Sequence, residues 1–335
     1  MKVLFDHHMP FALAHGGFQQ QIIQTKAALS QAGVETDYLR WWDDAQRGDI
    51  IHFAGRPTAE YVLFAQGRGR KVVVADLLAG AGSRSRGELA LQKLSTTVLR
   101  KILPAAYTAR LAWDAYRLAD ACIANTGWEA HLMNYLFGVP KERVHVVPNG
   151  VEEIFLNSAP AARGPWLVCT ATITERKRVL ELAGAAVRAR TPVWIVGRAY
   201  ADTDPYAQKF FALAKQQPQM LRYEGAISDR AQLARIYREA RGFVLLSATE
   251  TRSLSAEEAA ACECPLLLSD LPWARSTFDR HASYCPVAGP ERTAGFLRKF
   301  YDAAPSLKPP PKPASWNEVA RQFLAVYERV LNALG

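Results

Sequence analysis

Cysteine is scarce in this chain, with five residues among 335 and no C-x-x-C pair. Cys122, Cys169, Cys262, Cys264 and Cys285 all sit in apolar runs. The odd number argues against a disulfide framework, and the spacing offers no zinc site, so reduced, buried thiols are expected. Long hydrophobic runs are missing as well. No window approaches the roughly 20 uninterrupted apolar residues of a membrane-spanning helix. The opening "MKVLFDHHMPF" turns to acid and histidine after its first five residues, too soon for the apolar core of a secretory leader. A cytosolic protein, soluble or peripheral, is therefore expected. The dinucleotide fingerprint G-x-G-x-x-G is also lacking: "HGGFQQQ" is not that motif and "VGRAYAD" has no later glycines, which argues against a dinucleotide-dependent oxidoreductase.

Positive charge, by contrast, is in excess. Lys and Arg number 41 against 32 Asp and Glu, for a net charge of +9. Such a balance suits anionic partners, whether nucleic acid, membrane or substrate. Part of the excess is local: Arg84, Arg86, Lys93, Arg100, Lys101, Arg110 and Arg117 face only Glu88 and Asp114. Apolar residues Leu91, Leu94, Val98, Leu99, Ile102 and Leu103 are interleaved with these cations. The segment 84–117 therefore reads either as an interfacial helix or as a helix packed on its own domain with a solvated basic face. Net charge alone supports nucleic-acid binding, and no nucleic-acid partner is expected. Of the histidines, His7, His8, His52, His131, His145 and His281 show no metal spacing and are expected in core or surface roles, while His15 lies beside a Gly-Gly pair.

Short runs rich in Val, Ile and Leu alternate with longer amphipathic segments, the pattern of parallel strands joined by crossover helices. "KVLF", "TDYL", "DIIHFA", "KVVVAD", "DACIAN" and "VHVVP" form a first series of strands; "PWLVCTA", "PVWIVG", "LRYEG", "GFVLLS", "CPLLLSD" and "ASYCPV" form a second. The length suits two domains. We read a first domain over 1–156, a linker at 157–164 ("NSAPAARG"), a second domain over 165–314 and an amphipathic helix over 315–335, the last with apolar Val319, Phe323, Val326, Val330 and Leu331. The fold class is α/β, two doubly wound parallel sheets with ligands expected beyond the carboxyl ends of the strands and a cleft between the domains as the natural site.

One stretch, "ATETRSLSAEEAAACECPLLLSD" from Ala248, places two acids, Glu250 and Glu258, where a buried strand ends and a helix begins. The unpaired N–H groups of that helix start, over Thr251, Arg252, Ser253 and Leu254, suit phosphate. The same letters allow a plainer reading: Ser255 and Glu258 have the S-x-x-E spacing of a capping box, and Glu257 reads as a solvated helix acid.

The stretch resembles the nucleotide-binding domain of retaining glycosyltransferases of the GT-B fold, glycosyltransferase family 4 (group 1) type, in which a strand is followed by Glu, a Gly-rich loop and, at the same eight-residue step, Glu-Ala. "PVWIVGRA", "LRYEGAISDRAQLARIYREARGFVLLS" and "ERKRVLEL" are similar to further segments of that domain. "HGGFQQQIIQTKAALSQAGVETDYL", "GDIIHFAG" and "DACIANTGWEAHLMNYLFGVPKERVHVVPNGVEEIF" are similar to segments of the partner domain. The likeness runs through nearly the whole chain in the family's order.

The resemblance implies two Rossmann-like domains facing a cleft, with the final helix returning to the first. It implies that Glu258 binds the ribose, Glu250 the hydroxyls of the donor sugar, Lys177 the diphosphate, and the backbone at Gly225, Ala226 and Ile227 the base, while Gly16 and Gly17 let the opening loop approach the transferred sugar or its phosphate. Several positions depart from the family pattern. The loop Thr251–Ser255 has neither glycine nor proline, Lys-Gly has become Lys177-Arg178, an expected arginine is Thr172 with Arg176 and Arg178 as the replacement cations, an expected histidine is Ala75 with Asp76 next to it, and an expected glycine is Glu263. The activity implied is transfer of a hexose from a nucleoside diphosphate sugar to a hydroxyl acceptor, on a glycan, a lipid-linked glycan or a small molecule, with retention and without metal or other cofactor. The alternative is a non-catalytic nucleotide-sugar binder or a subunit of a glycosylation complex.

Overall fold

A computed structural model of the chain describes residues 1–8, 10–11, 16–103, 113–157 and 161–333. It divides into two compact units, one made of Met1–Gly150 with Trp316–Gly335, the other of Val151–Ser315.

The first unit is built on strands β1 (Lys2–His7), β2 (Glu35–Tyr38), β3 (Ile50–Ala54), β4 (Lys71–Ala75), β5 (Ala121–Ala124) and β6 (Val144–Val146), in the order β2-β1-β3-β4-β5-β6. Every pairing is parallel. Its longer helices are α1 (Gly17–Gln31), α2 (Ala59–Gly67), α3 (Arg86–Ile102) and α4 (Gly127–Phe137). Because helices cover both faces of a parallel sheet, its central strands must be apolar on both sides. Val72, Val73 and Val74 of β4 are accordingly all fully buried.

The second unit has strands β7 (Leu167–Thr170), β8 (Val193–Val196), β9 (Leu221–Tyr223), β10 (Gly242–Leu245), β11 (Leu266–Ser269) and β12 (Ser283–Cys285). They run in the order β12-β11-β10-β7-β8-β9, again all parallel. This is the doubly wound arrangement in which the strand order reverses, here between β7 and β10. Helices α5 (Val179–Arg188), α6 (Pro205–Gln216), α7 (Arg230–Glu239), α8 (Leu254–Ala261) and α9 (Pro290–Ala303) flank it. All twelve strands fall on the runs picked out in the sequence.

The final helix, α10 (Trp316–Asn332), buries Val319, Phe323, Val326 and Val330 in the first unit, where it lies against α1. Tyr327 reaches His52 of β3, with 2.7 Å between the hydroxyl and Nδ1. Burial drives the His52 imidazole down to about 3, so it is neutral in the folded chain.

The division between units falls at Gly150 and Val151, ahead of the expected linker at 157–164. The reason is Phe155: fully buried, it packs against Tyr237 at 6.0 Å between rings and so ties the segment 151–157 to the second unit. Residues 158–160 of the expected linker, together with His15 and Arg110, lie outside the described residues.

Candidate functional site

In the second unit, the turns at the carboxyl ends of neighbouring strands β10, β7, β8 and β9 carry most of the residues singled out in the sequence. After β7 the chain makes a tight turn, Glu175–Lys177, capped by the Thr174 hydroxyl. Arg178 leaves this turn with φ 54°, a left-handed backbone that explains why the family pattern has glycine there. The turn is tied to the one after β10 through the backbone, Ala248 N donating to Arg176 O at 2.8 Å. Across that tie, Lys177 Nζ donates to Glu250 Oε1. Arg176 Nη1 reaches the same oxygen at 3.2 Å and Thr249 O at 2.9 Å. Glu250 is therefore held between two cations, nearly buried at 8% exposure. Arg178, the other cation considered, turns away to the carbonyl of Ala288.

Glu258 lies in the second turn of α8. Its carboxylate accepts from Arg230 and, at 3.2 Å, from the Tyr237 hydroxyl. Arg230 is in turn fixed by Glu152 at 2.8 Å and lies over the Phe155 ring. Burial pushes the Glu258 carboxyl up, opposed by the Arg230 guanidinium. No capping box forms with Ser255: the helix is capped by Ser253, whose hydroxyl accepts from Ala256 N. Ser253 occupies the N-cap position itself, directly before Leu254, whereas Ser255 is already inside the helix.

Glu257 is not a solvated acid. It is 1% exposed and pairs with Arg252, whose Nε donates to Oε1 at 2.7 Å. Burial pushes its carboxyl up, opposed by the Arg252 guanidinium, and Oε2 has no hydrogen-bond partner among the described residues. The loop that replaces the family's glycines thus folds an arginine back onto its own helix, and Thr251, Arg252, Ser253 and Leu254 form a filled turn. Glu263, standing where a glycine was expected, takes the left-handed backbone directly after α8, with φ 59°.

The turn at Gly225, expected to contact the base, is also bent into a left-handed backbone. Gly225 has φ 83°, and its carbonyl accepts from Gly197 N at 3.0 Å. Ala226 is exposed, while Ile227 packs on the core. Gly197 is required outright, since a Cβ there would lie 1.9 Å from Ala171 O.

In the first unit, Asp76 directly follows β4 and receives the hydroxyl of Tyr116. Burial raises its carboxyl, with the Tyr116 hydrogen bond and Arg56 pulling the other way. It lines a cavity of about 600 Å³ with His8, Phe18, Arg56 and Arg84 among the walls. Gly16, at φ 141°, caps α1, and Gly17 opens it, which sets Phe18 at the cavity rim. His8, Arg56, Tyr116, Arg230 and Glu152 were not legible as site residues: each is a lone side chain in a loop or helix whose partner lies far along the sequence.

Among the described residues, no group of three His, Cys, Asp or Glu gathers as metal ligands. The one D-x-D triplet, Asp202-Thr203-Asp204, is a helix cap: Asp204 Oδ1 accepts from Tyr206 N and Ala207 N. All five cysteines are buried and none is in a disulfide.

Solved structures share this architecture over the whole chain. Anabaena Alr3699/HepE in complex with UDP is similar at a TM-score of 0.66 and 15% identity, covering 100% of this chain and 99% of that one. Sucrose-phosphate synthase from Thermosynechococcus elongatus gives 0.67 and 16%, covering 99% of each. The lipopolysaccharide outer core galactosyltransferase WaaB gives 0.62 and 12%, also covering 99% of each. Residues 32–153 match the model of Glycosyltransferase Family 4. The fold is GT-B. No curated protein matches the sequence. In GT-B terms, the turns carrying Lys177, Glu250 and Gly225 lie in the second sheet's unit, and the cavity at Asp76 in the first.

Proposed function

We propose that the chain transfers a hexose from a nucleoside diphosphate sugar to a hydroxyl acceptor, with retention of configuration and without a metal ion. The observation that carries this reading is the convergence of Lys177 and Arg176 on Glu250 at the carboxyl edge of β7 and β10, with Glu258 on the adjoining helix. Breaking a glycosyl phosphate leaves negative charge on the diphosphate. Two preorganised cations and the amino end of α8 suit that charge, as electrostatic stabilisation of a leaving group requires. As the diphosphate draws Lys177 and Arg176, the Glu250 carboxylate turns to the sugar hydroxyls, and its contribution is orientation. Glu258, held by Arg230 and Tyr237, accepts from the ribose. Asp76 receives the acceptor hydroxyl. Similarity to HepE, solved with UDP, supports a nucleoside diphosphate as the ligand.

Glu258→Ala and Glu250→Ala, each titrated with UDP in a calorimeter and assayed for transfer, test the assignment. Loss of charge-assisted hydrogen bonds worth about 1.5–3 kcal/mol predicts roughly tenfold to a hundredfold weaker nucleotide binding for Glu258→Ala, and slower turnover with nucleotide binding kept for Glu250→Ala. Normal binding and turnover in both would end the reading. Nucleotide binding with neither transfer nor donor hydrolysis in the unaltered protein would favour the non-catalytic alternative.

We also propose that the protein works in the cytosol and touches membranes through α3. No helix among the described residues is long and apolar enough to cross a bilayer. On α3, however, Leu91, Leu94, Val98 and Ile102 follow one stripe and are exposed by 67%, 62%, 41% and 72%. Its cations are partly committed inward, Lys93 over the Tyr135 ring and Arg100 to Asp114. An exposed apolar stripe flanked by Lys and Arg suits an anionic lipid surface. Cosedimentation with anionic vesicles at low salt should be abolished by Leu94→Glu with Ile102→Glu, and no sedimentation of the unaltered protein would remove the idea.

A further inference from the structure

The cavity in the first unit carries more charge than its Asp76 needs. It opens where β1, β3 and β4 end, and its walls come from the loops that follow them: His8 after β1, Gly55 and Arg56 after β3, Asp76 and Leu77 after β4. Gly55, at φ 108°, keeps the floor open, since a Cβ there would press on the His8 ring at 3.3 Å. The volume of about 600 Å³ lies within the usual range of small-molecule sites, roughly 300–1,000 Å³.

The acid in the cavity is already served, whereas a base is not. Tyr116 donates to Asp76. Arg56 lies beside the Tyr116 ring, 5.8 Å from its centre, and its carbonyl is taken up by His8 Nε2 at 2.5 Å. Among the described residues its guanidinium hydrogen-bonds to no acceptor, although it is half-buried and its charge acts on Asp76. Arg84, across the same cavity, spends one nitrogen on Gln92 Oε1 at 2.6 Å. Two guanidinium groups therefore face a space whose only carboxylate, among the described residues, is capped by a phenol. A planar guanidinium pairs best with a two-oxygen anion.

We propose that this cavity takes the acceptor by an oxyanion, a phosphate or a carboxylate, which Arg56 and Arg84 hold while Asp76 accepts a hydrogen bond from an acceptor hydroxyl. The inference rests on the transferase reading for the word acceptor, and on the first unit alone for the anion site. The substrate class is an anionic hydroxyl compound of one or a few rings, such as a sugar phosphate or a uronic acid, in preference to a neutral sugar.

The test is a titration of the full-length protein, saturated with UDP so that the cations of the second unit are occupied, with glycerol 1-phosphate, gluconate and glycerol as probes. Binding is read from amide shifts of the first unit in nitrogen-15 spectra. Both anions should bind and glycerol should not. Arg56→Gln should weaken binding of the anions at least tenfold, Arg56→Lys should keep part of it, and Arg84→Gln should have a smaller effect, with UDP affinity unchanged in all three. Stronger shifts with glycerol 1-phosphate than with gluconate would assign a phosphate, the reverse a carboxylate. Equal anion binding by the unaltered protein and Arg56→Gln, or binding of glycerol as tight as that of the anions, would overturn the proposal. If UDP itself does not bind, the transferase reading fails while the anion titration still decides the cavity.

Discussion

The two sheets end differently at their carboxyl edges. In the second unit the glutamates of the β10 turn and of α8 are each matched: Glu250 to Lys177 and Arg176, Glu258 to Arg230, Glu257 to Arg252. In the first, a roomy cavity holds two guanidinium groups against one carboxylate, and that carboxylate is bonded to a tyrosine. The lesson is that one topology can present a prepaired edge, whose cations already meet a protein carboxylate, or an open edge whose guanidinium groups outnumber the carboxylate beside them. Prepairing keeps buried charges satisfied while the site is empty. An open edge leaves room for variety in the ligand.

The largest expected effect breaks the prepaired edge. Lys177→Ala should lower transfer about a hundredfold to a thousandfold, the usual cost of removing one group that stabilises developing negative charge, and it should weaken UDP binding. Asp76→Ala should lower transfer and leave UDP affinity alone. Equal losses of UDP affinity in the two variants would erase the distinction between the edges.

A second prediction concerns pH, where the units should move in opposite directions. His52 in the first unit is held neutral, its folded value near 3 against 6.5 in the unfolded chain. Between those values the unfolded state binds the extra proton, so stability is full above 6.5 and is lost as the pH falls through the window. The loss at pH 5 should reach about 2 kcal/mol. In the second unit Glu257 and Glu258 are raised by burial. There the folded state binds the extra proton, so their contribution grows as the pH falls towards the ordinary carboxylate range. Hydrogen exchange measured at pH 7 and pH 5 should show the first unit's core loosening first, and His52→Gln should flatten that trend. Parallel loosening of both units, unchanged by the substitution, would refute it.

The smallest effect sharpens a point within the second unit. Glu263 occupies a left-handed backbone immediately after α8, a place where glycine relieves strain. Glu263→Gly should raise stability by about 1 kcal/mol in thermal melts, offset slightly by its exposed ion pair with Lys312. A lower melting temperature would show that the side chain matters more than the backbone.

The strands were legible because parallel strands buried on both faces leave continuous apolar runs, as "KVVVA" does at β4, and the closing helix because its buried residues recur at helical spacing. The positions of Glu250, Lys177 and Glu258 on turns and a helix start were legible from where those runs stop. Their pairing was not. Arg230 reaches Glu258 across 28 residues and Arg176 reaches Glu250 across 74, separations at which no local pattern marks a partner. Glu257 was misread because a helix rich in alanine and glutamate looks solvated, while this one is wrapped by its own unit and its charge is met by Arg252 from the preceding loop. The unit boundary was displaced for a similar reason: "NSAPAARG" has the composition of a linker, yet Phe155 anchors the residues ahead of it.

The returning helix has a consequence for how the molecule is made. The first sheet emerges from the ribosome well ahead of Trp316–Asn332, and its packing is incomplete until that helix arrives with Tyr327 for His52. Chains halted just after Ser315 would carry a first sheet with one flank bare, so such a shortened product should be a substrate for chaperones and proteases even though its second unit is whole.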